Sequence, residues 1–122
     1  MTEARDSDRL FHMLEAARKA VAFSHGKSLR EIQEDEILSL ALLRLVEVFG
    51  EAARCISIAS QRRHPDIPWT DIIGTRTWMA HGYMNIDMHI VYNIIARDFP
   101  LLIPELERMI EIETEDIGWN GG

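Results

Sequence analysis

The chain has 122 residues, of which 47% are hydrophobic and 27% charged, with a formal net charge of −7 and one cysteine. This length fits one folded domain, residues 1–122, with a real core, and the apolar share excludes a natively unfolded chain. The net charge argues against a general nucleic-acid-coating surface, the lone Cys55 excludes an internal disulfide or a cysteine-built zinc site, and the longest apolar runs fall short of the roughly 20 residues that span a bilayer.

The charge is unevenly spread. Residues 1–36 carry a net −2, residues 37–83 a net +1 and residues 84–122 a net −6. The acid therefore gathers near the C-terminal end, in Glu105, Glu107, Glu111, Glu113, Glu115 and Asp116, and reads as a solvated face or as a surface that meets a basic patch on a partner, the first being preferred. The middle third leaves room for a local anion site. The start, MTEARDSDRL, lacks the apolar run of a signal peptide. With one cysteine, it points to a reducing cytoplasm.

The pattern is helical nearly throughout, without strand-like alternation. Ser7 reads as the N-cap of a first helix whose Leu10, Phe11, Leu14, Ala17 and Val21 form one apolar stripe ending near Gly26. Ser28 and Glu31 have capping-box spacing. A long second helix is expected from about Asp35 to Arg62, with Ile37, Leu38, Ala41, Leu42, Leu45, Val48, Phe49, Ala52, Ile56 and Ala59 on a broad buried face. His64-Pro65-Asp66-Ile67-Pro68 is the clearest break. A third helix follows over about Trp69–His81, with Gly82 placed to end it. Asp87 can cap a fourth, carrying Ile90, Ile94 and Ile95, which Phe99-Pro100 interrupts. A short fifth runs over about Leu101–Glu113. The fold class is all-α, an up-and-down four-helix bundle with a short additional helix.

Arg76, His81 and Tyr83 are the candidate chemistry. Cleaving RNA without a metal needs a group that moves a proton near neutrality, which histidine provides. It also needs a cation for the charge developing on phosphate, which a guanidinium provides. Tyr83 adds a phenolic hydroxyl. Spacing alone leaves the bland reading open. At about 100° per residue, Arg76 and His81 do not share a helix face. His81 also suits a helix C-terminus, Arg76 a surface and Tyr83 a half-buried packing position. Glu51 fits either an ion pair with Arg76 across two helices or an i, i+3 pair with Arg54. Gly50, in mid-helix, costs up to about 1 kcal/mol relative to Ala, which points to close approach by another helix. His12, His25, His64 and His89 lack metal-ligand spacing; no metal is expected.

Three stretches together resemble the HEPN domain family, in its HepT-like toxin branch. They are Glu47-Val48-Phe49-Gly50-Glu51-Ala52, then Ile67-Pro68-Trp69-Thr70-Asp71-Ile72-Ile73-Gly74, then the R-x4-H-x-Y element Arg76–Tyr83 followed by Ile86-Asp87. Thr77 stands where the family often has asparagine, and keeps a hydrogen-bonding group on a shorter side chain. The resemblance implies one HEPN-like domain and a metal-independent endoribonuclease toxin needing no cofactor. Arg76 and His81 would be catalytic, in a groove at a homodimer interface, with Glu51 and Thr77 supporting. It further implies a cognate nucleotidyltransferase antitoxin that transfers AMP to Tyr83. Two other readings use the same residues: a non-catalytic helical partner module for a nucleotidyltransferase, and a nucleotide-ligand binder.

Overall fold

A computed structural model describes residues 2–81 and 86–116. Its elements in chain order are α1 (Thr2–Ser24), α2 (Leu29–Glu34), α3 (Glu36–Arg54), α4 (Ile58–Arg63), α5 (Trp69–His81), α6 (Met88–Asn93), a π-helical turn (Ile94–Asp98) and α7 (Phe99–Asp116). No strand occurs among the described residues. Four helices are long, α1, α3, α5 and α7. The all-α bundle expected from the periodicity is therefore present.

The core follows from the apolar stripes. Leu10, Met13 and Ala17 of α1 are fully buried against α3 and α7. From α3 come Leu42, Val46 and Phe49, and from α7 Phe99, Leu106 and Met109. Phe49 meets Phe99 with ring centroids 4.5 Å apart and planes tilted by 42°, a geometry that aromatic quadrupoles favour over a flat sandwich. Ser28 closes the expected capping box. Its hydroxyl accepts from the Glu31 amide at 3.1 Å, and its own amide donates to the Glu31 carboxylate at 2.8 Å. Asp35 caps α3 through the Leu38 amide.

Three boundaries differ from the sequence reading. Ser7 does not start α1, because Thr2–Asp6 already run helical and contain no breaker. The long helix expected over 35–62 divides into α3 and α4. Ser57 caps α4, accepting from the Ser60 amide, while its own amide and hydroxyl donate to Asp6 at 2.9 and 2.6 Å. Phe99-Pro100 does not interrupt the last helix. The preceding turn widens to a π turn, in which the Phe99 amide donates to the Ile94 carbonyl, and the path continues into α7 with Pro100 in its first turn, where a missing N–H is least disruptive. In addition, Phe11, Ile37 and Ala59, expected on apolar stripes, are exposed. Periodicity marks a helix face but not how far along it the neighbours extend.

The acidic C-terminal segment is not wholly a solvated face either. Glu113 is buried, and its two oxygens accept from the Arg63 guanidinium at 2.8 and 2.7 Å. The same guanidinium donates to Ser60 Oγ at 3.0 Å, and Ser60 donates to the buried Asp6 at 2.8 Å. A chain of charge-assisted bonds thus ties α1, α4 and α7 together. His64 Nε2 is buried beside it, 3.5 Å from Glu113 and without a hydrogen-bond partner among the described residues.

Candidate active site on α5

Trp69, buried, anchors the start of α5, and its indole N–H donates to the His64 carbonyl at 3.0 Å. That bond fixes how the helix leaves the His64–Pro68 break. Along α5, Met79 faces the core while Thr77, Ala80 and His81 stand exposed.

Close approach to α3 is set by Gly50. A Cβ built there would lie 2.5 Å from Arg76 Cβ, 3.2 Å from Arg76 Cγ and 3.3 Å from the Ile72 carbonyl oxygen. Only glycine lets α5 lie this near. The consequence is electrostatic. The next residue, Glu51, has its Oε2 at 2.8 Å from Arg76 Nε. Both readings of Glu51 hold at once, because Arg54 also donates to it, at 2.6 Å to Oε1 and 3.3 Å to Oε2. The Arg54 hydrogen bond is the main reason the Glu51 carboxyl is held below the usual glutamate range; the charges of Arg54, Arg76 and Arg9 act in the same direction, against a smaller opposing effect of partial burial. Glu51 therefore stays ionised and holds Arg76 as one side of a two-arginine pair.

At the other end of the helix, His81 Nδ1 lies 2.8 Å from the Thr77 carbonyl oxygen. A carbonyl only accepts, so Nδ1 carries the proton and Nε2 is the nitrogen left for other partners. The Thr77 hydroxyl donates to the Ile73 carbonyl at 3.2 Å. Thr77 thus contacts His81 through its main chain, and its side chain is occupied within the helix.

The structure brings Glu51 to Arg76 and Thr77 to His81. It does not place Arg76 against His81: five residues along a helix separate them by roughly 140°, and no hydrogen bond or ion pair joins them. Tyr83 lies outside the described residues. Among the described residues no group of three or more His, Cys, Asp or Glu is arranged to hold a metal ion, and no helix is long and apolar enough to cross a membrane. A cavity lies elsewhere, lined by residues of α3, α5, the π turn and α7. Sequence reasoning missed the Asp6–Ser57–Ser60–Arg63–Glu113 chain, because its partners are separated by more than 50 residues in places and nothing local marks them.

Glu51 thus holds Arg76, and His81 stands exposed and oriented, on an all-helical bundle. Residues 13–109 match the family described as "Ribonuclease HepT-like", and the chain belongs to that family. A protein of Methanocaldococcus jannaschii named as a candidate RNase is 29% identical over 98 residues, 80% of this chain and 90% of that protein. Another so named, of Caldanaerobacter subterraneus subsp. tengcongensis, is 28% identical over 102 residues, 84% of this chain and 88% of its own. A Thermococcus cleftensis protein named "Probable ribonuclease HepT" is 26% identical over 102 residues, 84% of this chain and 93% of its own. No solved structure matches the chain.

Proposed function

We propose that the chain, as one HEPN-like domain over residues 1–122, is a metal-independent endoribonuclease toxin. It works as a homodimer in the cytoplasm and is neutralised when a nucleotidyltransferase antitoxin transfers AMP to Tyr83. The observation that carries the catalytic part is the orientation of His81. With Nδ1 committed to the Thr77 carbonyl, Nε2 is free to act as a base on an incoming ribose. Family membership and the names of the relatives support RNA as substrate.

In this mechanism His81 Nε2 takes the proton of a ribose 2′-hydroxyl as its oxygen attacks the adjacent phosphorus. The phosphorus–O5′ bond breaks, and the 5′-oxygen leaves with a proton from an imidazolium. The products are a 2′,3′-cyclic phosphate and a 5′-hydroxyl. Arg76, held by Glu51, meets the charge on the non-bridging oxygens. Because Arg76 and His81 diverge along one helix, a two-fold axis offers a way for an arginine and a histidine from different protomers to face one phosphate. AMP on Tyr83, two residues from His81, adds bulk and negative charge that oppose RNA phosphate.

Two results test this reading. Expression of the chain arrests growth, and Arg76→Ala and His81→Ala relieve the arrest; equal toxicity of both variants contradicts the assignment. Co-expression with a nucleotidyltransferase encoded beside it raises the intact mass by one or more AMP units, and Tyr83→Phe removes the gain. No gain with a competent transferase removes the tyrosine mechanism.

A further inference from the structure

The cavity on the far side of α5 measures about 670 Å³ and is floored by Phe49, Ile72, Phe99 and Leu102. Four carboxylates line it, each from a different element: Asp66 from the loop before α5, Asp71 from α5, Asp98 from the π turn and Glu105 from α7. No lysine or arginine lines it. Glu105 pairs with Arg108, whereas Asp66, Asp71 and Asp98 have no basic partner among the described residues. Leu101, on the lip, is 74% exposed.

We propose that this groove is the docking site for a basic amphipathic helix of another protein. An apolar floor ringed by acid is complementary to a helix with apolar anchors on one face and Lys or Arg beside them. The carboxylates come from four separate elements, so an extended cationic object satisfies them where a small cation would meet only one or two. RNA is excluded by the same charges. The π turn belongs to this site. It carries Asp98 and Ile94 to the rim and floor, and wide turns of this kind cost hydrogen-bond geometry and are frequent at functional positions. Thr75, a lining residue, points roughly 120° away from His81 around α5, so a partner seated here leaves His81 open. The proposal does not depend on the nuclease reading.

The test uses the full chain and a fluorescent Leu/Lys amphipathic peptide of about 18 residues, ~27 Å long as a helix. Two controls accompany it, a Leu/Glu peptide and a Lys/Ser peptide of equal positive charge. Saturable binding is expected for Leu/Lys alone. The exposed double variant Asp71→Lys/Asp98→Lys weakens it by about tenfold or more, and Leu101→Ser weakens it less. Glu15→Lys/Glu34→Lys, with the same change in net charge away from the groove, leaves affinity within about twofold. Amide shifts on binding map to Val46, Ile72 and Thr75. Equal binding of the Lys/Ser peptide, equal weakening by the two double variants, or shifts confined to α1 and α2 would overturn the proposal. So would absence of binding. If the rim variant instead changes the oligomeric state of the free chain, the occupant is a second copy and the proposal fails.

Discussion

Replacing Gly50 by alanine puts one methyl group where α3 meets α5. In an unobstructed helix the change stabilises by up to about 1 kcal/mol. Here the new Cβ falls 2.5 Å from Arg76 Cβ and 3.3 Å from the Ile72 carbonyl oxygen, against the roughly 3.5–4.0 Å at which carbon atoms attract. Arg76 Cβ is bonded to the main chain and cannot swing aside as a side-chain tip can, so α5 itself must retreat by about 1 Å. Overpacking of this kind costs roughly 1–3 kcal/mol, and the rigid neighbour places it in the upper part of that range. After the gain in helix propensity, the net loss is about 1–2 kcal/mol, or a fall in Tm of roughly 3–10 °C for a chain of this length. The retreat also draws Arg76 from Glu51, 2.8 Å away at present. Gly74, in the facing helix α5 and with nothing within 4 Å of its Cβ position, is the control, and Gly74→Ala should gain up to about 1 kcal/mol. Thermal unfolding followed by circular dichroism measures both. If Gly50→Ala is as stabilising as Gly74→Ala, α3 and α5 do not touch as described.

Other expectations follow from the same contacts. Asp6→Ala strands the Ser57 amide and the hydroxyls of Ser57 and Ser60; it should cost roughly 2–4 kcal/mol in chemical denaturation, and a loss under about 0.5 kcal/mol would remove the network as a stabilising feature. Ser28→Ala removes the hydroxyl that accepts from the Glu31 amide, leaving only the main-chain arm of the capping box, and should cost about 1 kcal/mol by the same assay. Because the Glu51 carboxyl is held below its ordinary value of 4.5, its pairing stabilises fully above that value and is lost as pH falls through the lowered one. Glu51→Gln should therefore reduce stability at pH 7 by an amount that shrinks as the pH is taken progressively below 4.5, and a pH-independent difference would contradict the ion-pair account.

Much of the bundle was legible in the sequence because apolar spacing reports directly on buried helix faces. The capping box at Ser28 and the start of α5 are legible for local reasons, a hydroxyl three residues from a carboxylate and a proline break, while Gly82, expected to end α5, lies outside the described residues. Gly50 was legible as a close approach because mid-helix glycine carries a cost. What could not be read was long-range. Ser57 looks like any serine inside an apolar-periodic run until Asp6, 51 residues away, supplies the acceptor that makes it a cap. Glu113 looks like one acid among many until Arg63 buries it in an ion pair. The π turn was missed because proline normally marks a stop, and only the widened turn lets the helix pass it. At the candidate site, spacing alone does not choose between Arg54 and Arg76 as the partner of Glu51, and the carboxylate takes both.

The central claim is that Arg76 and His81 cleave RNA. The most direct measurement is incubation of purified chain, in EDTA, with a defined RNA, and analysis of the product ends. The account predicts fragments ending in 2′,3′-cyclic phosphate and 5′-hydroxyl, with the rate reduced by roughly 10²–10⁴ in His81→Ala and at least about 10² in Arg76→Ala, both variants remaining folded. Cleavage that persists undiminished in either variant, or no cleavage by an unmodified chain that arrests growth, would contradict it.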